Sequence, residues 1–547
     1  MTNSIALAAN CIDIIYFRFT LRRTTFAVFR EFENENNMIK LFAGFFIQYW
    51  YIVLIFILLI VIMVLFYGKV QKPEFRKSAW FYYVLNTLYL CIGAGLFVAA
   101  ARGDFSPFNR PITLSNAAEY TKEPIEMPLV QSTPTAIIRT LSHLSLKEYR
   151  FFNGEELDRI YTPVKDYQPE GEFKYKNVVI FILESFSAEY MKAYNKHIPD
   201  YKSLYTPFLD SLMQHSRYFL YSYANGRKSI DAMPSVLASI PSIEGPYVLS
   251  PYSGNMINGI AGLLRKIGYR TAFFHGAPNG SMGFSAVANL AGFEKYYGMT
   301  EFNNPEFFDR TNGIYDEEFF QYYAEEMNKM TEPFCTALFS LSSHTPFTLP
   351  DRYKDVFTGT PTPFLNSLRY SDYSLKRFFE TASKMPWFKN TLFVLSADHG
   401  GTYSLFDEYK TSVGVYAAPI IFYAPGDSTL IWGENCLAQQ IDIMPSVLSY
   451  LNYNGSFVAF GNNLFEKCDD YFVVNFPNML QLLWDDYMIY FDGEKIISLF
   501  KFKEDKMLSN NLLNTSPEIE RIMELKAKAF LQQYTTRLIE NRLTIEK

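Results

Sequence analysis

The chain is 547 residues long, too long for one ordinary domain, so two or three folded units are expected. Its hydrophobic content of 49% and aromatic content of 18% are high for a soluble protein, and the excess lies near the N-terminus. A formal net charge of −6 leaves no basic footprint and argues against a nucleic-acid partner.

Residues 4–17 are apolar, yet too short and too polar to span a bilayer. They also lack the charged start of a signal peptide, and they read as the tail of a helix that begins upstream of Met1. Leu41 to Tyr67 is almost uninterrupted apolar sequence, long enough to span, and Trp80 to Ala101 is a second span without charge. Neither contains an ionisable group of the kind that marks a channel or transporter. Lys69, Lys72, Arg76 and Lys77 crowd the loop between them, which the positive-inside rule places in the cytoplasm and everything after Ala101 outside. Arg18, Arg22, Arg23, Arg30 and Lys40 run against that rule, because the same topology puts them outside too.

Residues 102–172, with Pro107, Pro111, Pro124, Pro128, Pro134 and Pro163, read as a linker along the membrane face, with one amphipathic helix over Thr135–Tyr149. From about Lys174 the pattern becomes α/β. The expected units are therefore 1–40, a partial membrane-domain segment; 41–101, two transmembrane helices; 102–172, a linker; 173–467, a catalytic domain; and 468–547, strands and a helix that complete it. In that last part, 471–500 read as short alternating strands and 516–543 as an amphipathic helix. The five cysteines (Cys11, Cys91, Cys335, Cys436, Cys468) show no zinc-like spacing. They read as free thiols, with a Cys436–Cys468 disulfide as the alternative.

Four apolar runs end on residues able to hold a metal or a phosphate: Asn177–Ser185, Arg270–Gly276, Thr336–His344 and Thr391–Gly400. Continuous runs of this length are strands buried on both faces of a mainly parallel sheet. Such sheets bind ligands at the carboxyl ends of their strands. Three of the six histidines, His275, His344 and His399, fall at those ends. A further strand is expected at Ala418–Tyr423, and a helix at Ile441–Tyr450.

Glu184, Asp398 and His399 offer carboxylate oxygens and an imidazole nitrogen, a set that suits Mn²⁺, Zn²⁺ or Mg²⁺. A divalent cation would also offset the cost of burying those charges. The candidate nucleophile is Ser229, in Asn225-Gly-Arg-Lys-Ser229-Ile-Asp-Ala-Met-Pro234. Taken alone it is a routine helix N-cap serine. At a helix N-terminus its hydroxyl sits in positive potential, and coordination to a metal would lower its pKa further. Arg227 and Lys228 can stabilise an anionic substrate. His275 and His344 suit charge stabilisation or leaving-group protonation, or are satisfied structural histidines.

Taken in order, Leu-Glu184-Ser, Gly-Arg-Lys-Ser229, His275-Gly, Ser-His344-Thr-Pro-Phe and Ala-Asp398-His399-Gly resemble the lipoteichoic acid synthase branch of the sulfatase/alkaline phosphatase superfamily. Gly313–Phe320 and Gln440–Ser446 resemble further stretches of that family, and the likeness is dense over residues 174–467. The resemblance implies an α/β alkaline phosphatase/sulfatase-like fold, a mainly parallel sheet flanked by helices and preceded by transmembrane helices. It implies that Glu184, Asp398 and His399 ligate one divalent metal, most often manganese. Ser229 stands in the place of the family's threonine nucleophile, which also touches the metal, and His275 and His344 match histidines lining the substrate pocket.

The chain departs from the family in three places. The Trp and Arg that bind the headgroup in glycerol-phosphate polymerases fall here at Met282 and Phe284. Two membrane helices are evident rather than five. The Cys/Ser-x-Pro-x-Arg signature for formylglycine maturation is absent around Ser229, which disfavours a true sulfatase. The expected function is a membrane-anchored, multi-pass, metal-dependent phosphotransferase with its catalytic domain outside the bacterial plasma membrane. It would move a phosphoglycerol-type group (or phosphoethanolamine) from a phospholipid to a cell-surface glycan or lipid through a covalent phospho-serine. The alternatives are a phosphodiesterase or sulfuric-ester hydrolase of the same superfamily, or a non-catalytic scaffold that kept the fold.

Overall fold

A computed structural model describes residues 2–20, 24, 44–67, 79–102, 132–134, 137–138, 146–198, 201, 205–250, 252, 255–279, 281–401, 403–466 and 470–545. The basic loop after Tyr67, most of the basic residues before Leu41, the prolines of 107–128, most of the expected 135–149 helix and Cys468 lie outside them.

Of two compact units, the first is drawn from Met1–Ser142 and the second contains His143–Lys547. The first holds helices Thr2–Thr20, Trp50–Tyr67 and Ala79–Arg102. The latter two are long and apolar enough to cross a membrane. Their large apolar side chains are exposed, among them Leu65, Phe66, Leu90 and Phe97, a surface that water would not stabilise and lipid would. Residues 4–17 fall inside the first helix.

The second unit is built on an eight-stranded sheet. Its first strands are β2 (Asn177–Leu183), β3 (Arg217–Tyr223), β4 (Arg270–His275) and β5 (Lys295–Tyr297). β6 (Phe334–Phe339), β7 (Thr391–Ala397), β8 (Ile420–Tyr423) and β9 (Trp432–Gln439) complete it, in the order β5-β4-β6-β2-β7-β8-β3-β9. All pairs are parallel except those of β8, which runs against both β7 and β3. The carboxyl ends of β4, β6, β2, β7 and β3 therefore open on one edge of the sheet.

The core forms on both faces. Val178, Ile180 and Ile182 of β2 face one apolar cluster, while Val179, Phe181 and Leu183 face the other. That alternation is why the run is apolar at every position. The second cluster is bonded by aromatic contacts, with Phe181 edge-on to Phe378 at 4.9 Å and to Tyr323 at 5.6 Å.

Part of the segment expected as a linker belongs to this α/β body. Helix Gly154–Ile160 is capped by Asn153, and β1 (Val164–Tyr167) pairs with β10 (Gly455–Val458). Pairing across some 290 residues is a tertiary event that no local pattern announces. At the C-terminus β11 (Phe472–Asn475), β12 (Leu480–Trp484), β13 (Tyr487–Phe491) and β14 (Ile496–Phe500) form an antiparallel sheet. One face packs on helix Pro517–Ile539 through Val474, Leu482, Ile489, Phe530 and Tyr534. Cys11, Cys91 and Cys335 are free, but Cys436 is disulfide-bonded. That corrects the reading of free thiols throughout. Cys436 lies on half-exposed edge strand β9, where apolar burial does not decide the state of a thiol.

Candidate functional site

The sheet edge brings Glu184, Ser229, Asp398 and His399 together. Glu184 follows β2, where its backbone N–H donates to Ser340 Oγ (2.8 Å) and its carbonyl accepts from Ser343 Oγ (2.6 Å). Asp398 follows β7, and its N–H extends the ladder to Leu183 O at 3.0 Å. The acceptors of the two carboxylates are filled in part by local donors. Ser185 Oγ donates to Glu184 Oε1 (2.8 Å), and the N–H groups of Ser185 (2.7 Å) and His399 (2.8 Å) donate to Asp398 Oδ1. Ser185 reaches both carboxylates because it adopts a left-handed backbone, φ 59°. Such strain in a non-glycine residue persists where the surroundings enforce it.

Ser229 begins helix Ser229–Ala238 and donates from Oγ to Glu184 Oε2 at 3.0 Å. The turn before it is closed by Asp231, whose Oδ2 accepts from the N–H groups of Arg227 (3.1 Å) and Lys228 (3.2 Å). Gly226 makes that closure possible, since a Cβ there would lie 2.1 Å from Asp231 Cβ. Gly226→Ala should therefore push Asp231 off its cap and move Ser229. The expected losses are about 1–3 kcal/mol in stability and on the order of 10–100-fold in turnover, read by melting and by steady-state kinetics.

Glu184, Asp398 and His399 are all buried, and one ligand atom from each lies within 4.8 Å of the others. His399 Nε2 is 3.2 Å from Asp398 Oδ2 and 3.9 Å from Glu184 Oε1, and its Nδ1 is 2.7 Å from Gly400 O. A proton on Nδ1, donated to that carbonyl, leaves Nε2 as the free lone pair facing the carboxylates. Asp398 Oδ2 is buried and makes no hydrogen bond. Burial, and then the neighbouring Asp398 carboxylate, hold Glu184 well above the usual carboxylate range. Burial also pushes Asp398 up to about 6 and His399 down. Two buried carboxylates that resist ionisation beside an imidazole that resists protonation fit a single divalent cation, which reverses all three penalties. The set lacks thiolate, in keeping with manganese, magnesium or zinc.

His275 is fully buried against Phe284 (5.0 Å between rings), with Nδ1 3.2 Å from Phe339 O and Nε2 without a partner. Burial lowers it to about 4, so it is neutral at ordinary pH. His344 is half-buried in the turn after β6 and acts electrostatically on both Glu184 and His275. Its turn is held by Asp316, whose Oδ1 accepts from the N–H groups of Leu341 (2.8 Å) and Ser342 (3.1 Å). Arg227 is buried, donates to Val415 O and lies over the Tyr416 ring at 5.9 Å. Lys228 is half-exposed at the helix start. Phe284 is a core residue packed on His275 and Phe339, and Met282 sits in a left-handed turn (φ 50°) against the core.

The supporting residues Ser185, Ser340, Ser343, Asp231 and Asp316 fall inside the stretches quoted above, but the sequence assigns none of them a role. The signal available was the run of serines after β6 and an acid three positions past a helix N-cap, both common motifs. Glu189 is another. Its Oε1 accepts from the N–H groups of Leu405 and Phe406 (2.9 Å for Phe406), in the loop that follows His399-Gly400. Burial pushes its carboxyl up to about 7, from an ordinary 4.5. A raised acid pKa means the folded state holds a proton that the unfolded state releases. Stability is then lost as pH rises from about 4.5 to 7, by on the order of 3 kcal/mol. Glu189→Gln should flatten that decline, as melts at pH 5 and pH 8 would show.

A model of the sulfatase family matches residues 176–453, more than half of the chain. The lipoteichoic acid synthase of Staphylococcus aureus (strain NCTC 8325 / PS 47) is 23% identical over 92% of this chain and 78% of its own length. An alkaline phosphatase superfamily protein from Vibrio parahaemolyticus aligns at a TM-score of 0.64 and 22% identity, covering 73% of this chain and 99% of that one. The lipoteichoic acid synthase LtaP from Listeria monocytogenes aligns at 0.58 and 20% identity, covering 71% and 98%. These two structures share the fold described above. With a sheet of that topology and a family match across it, the chain belongs to the sulfatase family.

Proposed function

We propose that the protein is a membrane-anchored phosphotransferase that moves a phosphoglycerol-type group from a phospholipid to a hydroxyl on a cell-surface glycan or lipid. The observation that carries the reading is Ser229 Oγ, 3.0 Å from Glu184 and first in its helix, beside the buried Asp398–His399 pair. Similarity to proteins named lipoteichoic acid synthase supports the substrate class.

Glu184, Asp398 and His399, with Ser229, would hold one divalent cation, Mn²⁺ in the first instance. When bound, it neutralises charge on the transferred phosphoryl group and acidifies the nucleophile. Ser229 Oγ attacks phosphorus, and its proton leaves along the hydrogen bond to Glu184. The phosphorus–oxygen bond to the lipid alcohol breaks, and that oxygen takes a proton delivered from His344 at the half-buried rim. Neutral, buried His275 presents a hydrogen-bonding nitrogen without adding charge. Arg227 and Lys228 hold positive potential beside the phosphoryl oxygens. An acceptor hydroxyl then gives its proton to His344 and attacks phospho-Ser229, the seryl oxygen recovers its proton from Glu184, and the phosphoglycerol group is transferred.

Two helices able to cross a membrane suit a site whose donor and acceptor both lie at a bilayer surface. A disulfide at Cys436 suits an extracytoplasmic location, where disulfides persist. The test is release of diacylglycerol from phosphatidylglycerol, against phosphatidylethanolamine and a sulfate ester, with Mn²⁺ present. Diacylglycerol release with the headgroup retained on an acceptor supports transfer, and free glycerol phosphate indicates a phosphodiesterase. Turnover of the sulfate ester alone would sink the reading.

A further inference from the structure

Gln440 opens the Gln440–Ser446 stretch and is fully buried where β9 gives way to helix Ile443–Tyr450. Its Nε2 donates to the carbonyls of Ala397 (2.6 Å) and Asp398 (2.8 Å), and its Oε1 accepts from Asn225 N–H (3.0 Å). The amide orientation is fixed by its partners. Exchanging O and N would set an NH₂ against an N–H and an oxygen against two carbonyls. One side chain thus joins the turn that carries Asp398 and His399 to the loop that carries Ser229.

Asn225 is also fully buried and completes the link. Its Oδ1 accepts from Ile441 N–H (3.0 Å), and its Nδ2 donates to Gln439 Oε1 (2.8 Å) and Val474 O (2.9 Å). Gln439 Oε1 accepts in turn from Val474 N–H (3.0 Å), and Asn475 Nδ2 donates to Ala224 O (2.6 Å). β11 therefore clamps the same loop from the far side. The carboxamides of Asn225 and Gln440 have their donors and acceptors engaged, which is what a buried polar network needs to be rigid rather than merely tolerated.

We propose that Gln440 is a positioning residue that, through Asn225, fixes the separation between Ser229 and the Asp398–His399 turn. The inference rests on the reading of Ser229 as nucleophile. Gln440 touches no reacting atom. It acts by holding the backbones of both halves of the site in one register, and a displacement of about 1 Å between such halves costs on the order of 10²-fold in rate.

The experiment compares Gln440→Leu with Ser446→Ala in the full-length chain in detergent. Ser446 is buried in the following helix, donating to Asp442 O (2.6 Å) and accepting from Leu464 N–H (2.8 Å), so its loss destabilises without cutting the link. Readouts are the rate of adduct formation on Ser229 with phosphatidylglycerol vesicles and Mn²⁺, the KM for that lipid, and hydrogen exchange of residues 224–229. Gln440→Leu should slow adduct formation about 10–100-fold, leave KM within roughly twofold, and speed exchange of the loop at least about tenfold. Ser446→Ala should keep the wild-type rate and loop protection at a comparable loss of melting temperature. A protected loop and unchanged rate in Gln440→Leu would overturn the inference, as would an equal slowing in Ser446→Ala. A wild type that labels no serine with any donor would sink the nucleophile reading and this inference with it, a result distinct from both.

Discussion

Ser229→Ala is expected to abolish donor turnover, by on the order of 10⁴-fold or more in kcat. Apparent Mn²⁺ affinity should fall far less, because Glu184, Asp398 and His399 still present two oxygens and a nitrogen within 4.8 Å. The fold should tolerate the change. Ser229 Oγ donates to Glu184 and lies in hydrogen-bonding reach of Asp398, and the helix start is capped independently through Asp231. The cost is then about 1 kcal/mol of stability. Ser229→Thr should retain activity, since it keeps the hydroxyl at the same helix N-terminus. Steady-state release of diacylglycerol, paired with calorimetric Mn²⁺ titration, separates the two effects. Loss of metal binding equal to the loss of turnover in Ser229→Ala would mean that the serine is a ligand first and a nucleophile only by inference.

Removing a carboxylate should produce the opposite pattern. Asp398→Asn is predicted to weaken Mn²⁺ binding by more than the 10–100-fold typical of a residue that only supports a ligand, and turnover should vanish with it. In EDTA the same variant should be as stable as the wild type or more so. Asp398 is buried beside Glu184 and its carboxylate raises the cost of ionising Glu184, so deleting that charge removes a repulsion. Adding Mn²⁺ at 100 times its Kd should stabilise the wild type by about 2.7 kcal/mol, and leave Asp398→Asn unmoved. The sign matters for pH as well. The raised pKa values of Glu184 and Asp398 mean that these two groups cost the metal-free protein stability as pH rises through about 4 to 7, while His399, held below its ordinary value, works in the opposite sense. Bound metal should reverse that trend, because it stabilises the ionised forms. Melting curves at pH 5 and pH 8, with EDTA and with Mn²⁺, check both statements.

The strands that carry the site were readable because each is buried on both faces and ends on a chemically distinctive group. β2, β4, β6 and β7 lie side by side in the sheet, and each has an apolar, buried middle with few polar residues. β3 and β9 escaped notice for the complementary reason. β3 mixes Arg217, tyrosines and Ser222, and β9 is a half-exposed edge strand, so neither presents a clean period. The chemistry followed the same division. Glu184, Asp398 and His399 were identifiable as strand-end residues, and Ser229 as a helix-start hydroxyl after Gly226. What holds them was not. Ser185 matters because of a left-handed φ, Asp316 because it caps a turn some 25 residues away, and Gln440 because it bridges two loops distant in sequence. Those roles exist only once the sheet has formed.

Phe284 and Met282 bear on specificity. With Phe284 in the core against His275 and Met282 packed on the core, these positions supply neither a stacking indole nor a guanidinium to a headgroup. Headgroup selection would then rest on other residues around the site. The three-way comparison of phosphatidylglycerol, phosphatidylethanolamine and a sulfate ester is therefore informative about this chain in particular.

A covalent phospho-Ser229 would be seen in the intact mass of the full-length protein in detergent, incubated with Mn²⁺ and phosphatidylglycerol, wild type beside Ser229→Ala. The expected result is a wild-type mass increase equal to a phosphoglycerol group, absent from the variant and mapping to the peptide that contains Ser229. Turnover without an adduct on Ser229, or an adduct of equal size on Ser229→Ala, would contradict it.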